Sequence, residues 1–171
     1  MSESAAAAAR LEQAGSDLLR LRHRVEAAPT WPLAERFDHT PEASWGPPEL
    51  LAHVAEMLPY WLGEVELVVA ATDGPEPFGR VGEDPVRIAL IERDRRLPVG
   101  ELYRRIEHAL GRWRERLATL SPDQRSRTGT HPTRGEMTVE AIVERMVIGH
   151  LEEHARQLET ILDGAAGSST R

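Results

Sequence analysis

The chain has 171 residues, 40% of them hydrophobic and 29% charged, with a formal net charge of -7 and no cysteine. That length suits one domain with a real core, and the acidity argues against coating nucleic acid or an anionic membrane. Without thiols there can be no disulfide, thiolate metal ligand or cysteine nucleophile, so sulfur chemistry would need an external thiol.

Met1-Ser2-Glu3-Ser4 and the five alanines after them lack the basic start and bulky apolar core of a secretory leader. No apolar run is long enough to span a bilayer, so the expectation is a cytoplasmic protein. The first predicted helix covers about residues 5–27, with Leu11, Ala14, Leu18, Leu21 and Val25 at helical spacing. Pro29 and Pro32 end it, and a connector over 30–44 holds Trp31, Phe37 and His39. A second helix opens at Ser44-Trp45-Gly46-Pro47-Pro48-Glu49, where prolines suit a first turn because their missing N–H groups would be unpaired anyway. Its apolar positions run from Leu50 to Val68, Pro59 should kink it, and Asp73-Gly74-Pro75 stops it.

Residues 73–85 read as a loop, and 86–96 as a crossover segment with a short helical turn. The third long helix spans about 98–120, with Leu102, Ile106, Leu110, Trp113 and Leu117 on one face. A polar loop over 121–137 leads to the fourth, for which the Thr138 hydroxyl is the expected N-cap. Residues 164–171 read as a frayed tail. No internal repeat or convincing strand pattern stands out. The expected fold is all-α: a four-helix bundle whose long link between the second and third helices permits a crossover connection.

His150 and His154 are four residues apart, which puts both rings on one helix face, about 6 Å apart along the axis. They share that face with Val143, Val147, Leu158 and Ile161, so the rings should point inward. His53 lies amid Leu50, Met57 and Trp61 on the second helix. Three imidazoles meeting inside a bundle suit Zn, Ni or Fe and leave positions open for water or substrate. Periodicity alone does not choose His53 over His23, His39, His108 or His131. A ferritin-like di-metal site is disfavoured, since it needs Glu-x-x-His on two helices. Arg20, Arg36, Leu50, Arg105, Thr128, Val147 and Leu151 stand three residues before the seven histidines, and none is a carboxylate.

The segment from Trp45 to Val54 resembles the second-helix motif of the DinB-like (YfiT-like) metalloenzymes, in which the first inward histidine is a metal ligand. The segment from Met137 to Leu158 resembles that family's fourth helix, with its His-x-x-x-His followed by a glutamine, here Gln157. Leu97-Pro98-Val99-Gly100-Glu101-Leu102 matches the third-helix phrase, so the likeness covers nearly the whole chain. The resemblance implies a metal triad of His53, His150 and His154. It also implies a small-molecule substrate, frequent homodimerisation, and the activation of water or of an exogenous low-molecular-weight thiol, as in the family's thiol S-transferases. A metal-dependent hydrolase fits equally well, and so does a non-catalytic bundle or dimerisation module with a structural or vestigial metal.

Around the triad, Glu49, Glu56, Glu153 and Gln157 are candidates to orient the rings. Trp45 is the best pocket candidate, ahead of Trp61 and Trp113. Arg93, Asp94, Arg95 and Arg96 form a charge run that could grip a carboxylate but reads more simply as a solvated loop.

Overall fold

The computed structural model describes residues 3–28, 30–35 and 44–168. Phe37 and His39 lie outside the described residues. The first predicted helix is two: α1 (Glu3–Arg20) and α2 (Arg22–Ala27). They join at Leu21, where the ladder tightens to a Leu21 N–H donating to Leu18 O at 3.2 Å. The apolar stripe runs through the break: Leu11, Ala14, Leu18, Leu21 and Val25 are all buried.

The second predicted helix is α3 (Pro47–Ala70), with Pro47 and Pro48 in its first turn and Pro59 inside it. Glu49 Oε2 accepts from the Gly46 backbone N–H at 3.1 Å, so the carboxylate reaches back to close the helix start. Segment 86–96, ambiguous in sequence, belongs to a ten-residue helix, α4 (Pro85–Asp94), whose N-cap Asp84 accepts from Arg87 N–H at 2.9 Å. The third long helix is α5 (Val99–Thr119); Leu102, Ile106, Leu110, Trp113 and Leu117 are buried as their spacing predicts. Trp113 Nε1–H finds a buried acceptor in Leu58 O, 2.9 Å away on α3.

The polar loop expected over 121–137 is largely structured. It holds a single capped turn, α6 (Pro122–Ser126), and two strands, β2 (Thr128–His131) and β3 (Gly135–Thr138). With β1 (Glu76–Pro77) they form a sheet of order β1-β2-β3, β1 parallel and β3 antiparallel to β2. The absence of a strand pattern in the sequence is therefore corrected. These strands are two to four residues long, too short for alternation to show, and Met137 is their only buried hydrophobic residue. Glycine does the work that side chains would do elsewhere. A Cβ on Gly129 would lie 2.7 Å from Glu76 O, Phe78 Cδ1 and Val68 Cγ2, so the sheet rests on α3 through bare backbone.

Thr138 caps the last helical stretch by accepting from Ala141 N–H at 3.1 Å. That stretch is α7 (Val139–Ile142), a π-helical segment (Val143–Gly149) and α8 (His150–Ser168) in unbroken succession. A Cβ on Gly149 would sit 3.2 Å from Glu144 O, five residues back; the wide turn leaves little room there. Helix α1 packs on α8 and α5, and α3 packs on α4, α5 and α8. The protein is thus mostly helical with a small three-stranded sheet, and the core lies between the long helices.

Candidate metal centre

Helix α3 brings His53 into the core one turn after Glu49, and α8 brings His150 and His154 on successive turns. His53 and His154 are buried and His150 is partly buried. One ring nitrogen from each of the three lies within 4.8 Å of the others. His53 Nε2 and His150 Nε2 face each other at 3.4 Å. His154 stacks at a tilt on His150, ring centres 4.6 Å apart, and meets His53 edge-on at 4.9 Å.

The remaining ring nitrogens say where the protons sit. His154 Nδ1 is 3.0 Å from Gln157 Oε1, and a carbonyl oxygen only accepts, so Nδ1 carries the proton and the lone pair is left on Nε2. The Met146 backbone hydrogen-bonds to the His150 ring in the sense that favours its protonated nitrogen. His53 Nδ1 is buried without a hydrogen bond, 4.0 Å from Glu56 Oε2. Three lone pairs therefore converge on one point. Burial, then the charges of His154 and Arg87, hold His150 down to about 3, and burial pushes His53 well below the usual imidazole range. All three rings thus meet neutral, the state in which imidazole binds metal.

A pocket of about 320 Å³ opens directly on His53 and His150. Its floor includes Met57 and Trp61, and His131 forms a wall. His131 stacks on Trp61 at 6.3 Å and accepts through Nδ1 from Thr133 N–H at 3.3 Å. Gly79, at φ +82°, makes room for it, since a Cβ there would lie 2.3 Å from His131 Cδ2. Arg80, Arg87 and Arg134 complete the lining, with Glu83. A larger hollow of about 950 Å³ lies between α3, α4 and α5, but none of the three histidines lines it.

The other predicted residues take distinct places. Trp45 is buried with its ring 5.4 Å from that of His53. Glu56 pairs with Arg80, which also lies 3.7 Å over the Tyr60 ring. Glu49 is fully buried; Oε1 accepts from Ala34 N–H at 2.8 Å and from Arg95 at 2.9 Å. It therefore ties the connector and the end of α4 to the start of α3. Glu153 is exposed. The charge run at 93–96 ends α4: Arg93 pairs with Asp94, Arg95 with Glu49 and Arg96 with Glu92. Among the remaining histidines, His23 and His108 are exposed. Sequence reasoning missed His131, Arg80, Arg87 and Arg134 as pocket residues. They sit in short strands, turns and a first helical turn, where periodicity is silent. The glycines at 79 and 129 were the available hint of close approach.

A mostly helical chain that gathers three neutral histidines beside an open pocket has the outline of a metal-binding helical protein. The family model of the DinB superfamily matches residues 5–158. The chain belongs to that superfamily. No curated protein and no solved structure matches it.

Proposed function

We propose that His53, His150 and His154 hold one divalent ion, Zn, Ni or Fe, at the heart of a DinB-type four-helix bundle. The four long helices would be α1, α3, α5 and the stretch ending in α8, and the link over residues 71–98 would be a crossover connection. Membership of the superfamily and the packing of α1 and α3 each against α5 and α8 support this architecture. The metal reading is carried by the convergence of three imidazole lone pairs, which is unfavourable without a cation between them. Two ligand nitrogens at 2.0–2.1 Å from a tetrahedral ion would be about 3.3–3.4 Å apart, and His53 Nε2 and His150 Nε2 are 3.4 Å apart.

The protein is read as an enzyme because the pocket meets two of the three histidines, whereas a structural site is closed by a fourth ligand. An ion bound there supplies Lewis acidity, bringing a water or thiol to its nucleophilic form near neutral pH. Gln157 and Glu56 would orient His154 and His53, and the buried apolar floor would limit water. Transfer of an external low-molecular-weight thiol to a small electrophile is the first reading and hydrolysis the second. Neither nucleic acid nor membrane is a proposed partner, and among the described residues no helix is long and apolar enough to cross a bilayer. On family grounds the assembly is a homodimer, which light scattering would check.

Metal analysis of the purified protein is the first test. Close to one ion per chain in wild type, and loss of most of it in His150→Ala, is expected; metal-free wild type, or full occupancy in the variant, would overturn the reading. Activity then separates the chemistries. Metal-dependent coupling of a small thiol to a chromogenic aryl halide supports transfer, and metal-dependent cleavage of a chromogenic ester without thiol supports hydrolysis. Neither activity, with metal bound, favours the non-catalytic module.

A further inference from the structure

The walls of the 320 Å³ pocket carry three guanidiniums and, among the described residues, one carboxylate, Glu83. This reverses the sign of a chain whose net charge is -7. The three arginines come from separate elements, Arg80 from the loop after β1, Arg87 from the first turn of α4 and Arg134 from the β2–β3 turn. Arg80 is already matched by Glu56. Arg87 is buried, anchored through Nη1 to Gly82 O at 2.9 Å with its guanidinium 5.6 Å from the Trp45 ring. Arg134 stands exposed at the mouth. Both reach the triad electrostatically, each disfavouring a charged His150.

Three neutral imidazoles cancel none of a dication's charge. With an ion in place, the pocket would hold that charge and the arginines against Glu83 alone. Burial makes such an excess of one sign costly, so the balancing charge should arrive with the ligand.

We propose that this pocket binds a small organic anion, a carboxylate or a phosphate ester, with its acid group on Arg87 and Arg134 and the rest of the molecule directed at the three histidines. This names the substrate class of the site and rests on the metal-enzyme reading for its chemistry, but not for the binding itself. Guanidinium forks match both acid groups through paired N–H donors. A volume of about 320 Å³ admits a small ligand and no polymer.

The test titrates the full-length protein, metal-free and metal-loaded, with benzoate, phenyl phosphate and neutral benzyl alcohol, read by calorimetry. At least one anion should bind the metal-free protein, on the order of tenfold more tightly than benzyl alcohol, and should weaken as salt is raised. Arg134→Gln, a change at an exposed turn, should weaken that anion on the order of tenfold, and Arg87→Gln should do the same if circular dichroism shows it folded. Which anion responds tells carboxylate from phosphate. Equal binding of benzyl alcohol, binding of no anion, or anion binding that needs metal and ignores Arg134→Gln would overturn the proposal. Arginine-dependent anion binding in a protein that takes up no metal would uphold it while the metal reading fails.

Discussion

At the scale of single residues, the site depends on where three protons sit. Gln157 fixes the His154 proton on Nδ1 and so aims Nε2 inward. Gln157→Leu keeps the size and removes the acceptor; metal affinity should fall about 10- to 100-fold with the thermal melt of the metal-free protein little changed, as competition with a colorimetric chelator would show. The neutral histidines also set a pH dependence. An unfolded imidazole titrates near 6.5, whereas burial holds His150 down to about 3 and His53 well below its usual range. Between these values the unfolded chain binds more protons, so stability is fully present above pH about 6.5 and is lost as pH falls. Urea unfolding of the metal-free protein should therefore weaken between pH 7 and 5 by about 1 kcal/mol per pH unit; in His150→Ala the slope should be smaller. An unchanged slope would mean that His150 is not held neutral in the fold.

At the scale of elements, two residues decide whether the site is assembled. Glu49 joins the start of α3, the connector at Ala34 and Arg95 of the α4 end, one turn before His53. Glu49→Ala leaves Arg95 buried without this partner, and should cost about 3–5 kcal/mol in urea unfolding. Gly129→Ala sets a methyl group against two side chains and a backbone carbonyl. It should destabilise by about 1–3 kcal/mol and raise amide exchange in β1–β3 before α1 or α5. The long helices were legible because each shows a buried stripe of its own: Leu102, Ile106, Leu110, Trp113 and Leu117 are enough to draw α5. The pair His150 and His154 was legible for the same reason. His53 owed its selection to the family resemblance, since His108 has an equally helical setting and turns out exposed. The sheet and the π-helical segment were not legible. The strands are held by backbone pairing and by the missing side chain of Gly129, and the π-helical segment lies within an apolar pattern that an α-helix would also show.

At the scale of the whole molecule, the helices pack through the core, and ion pairs such as Arg10–Glu152 and Arg20–Glu159 lie on the exposed faces of α1 and α8. Exposed pairs of this kind contribute little each, so raised salt should hardly move the melting temperature of the metal-free protein. Metal should move it far more. Metal at a hundredfold excess over its dissociation constant adds about 2.7 kcal/mol, a rise of about 5–10 °C for a chain of this size. Differential scanning calorimetry before and after chelation would read it, and His53→Ala should abolish the difference.

The facing nitrogens of His53 and His150 belong to residues 97 positions apart, in a chain with no cysteine. An ion between them would be the one bond-like link closing that long span of chain, and α3 could not part from α8 without surrendering it. Survival would then be a matter of time as much as of equilibrium: the rate of unfolding would be bounded by the rate of ligand release. In a cell short of metal, the protein would be lost to proteolysis faster than it is made idle, and its abundance would follow metal supply.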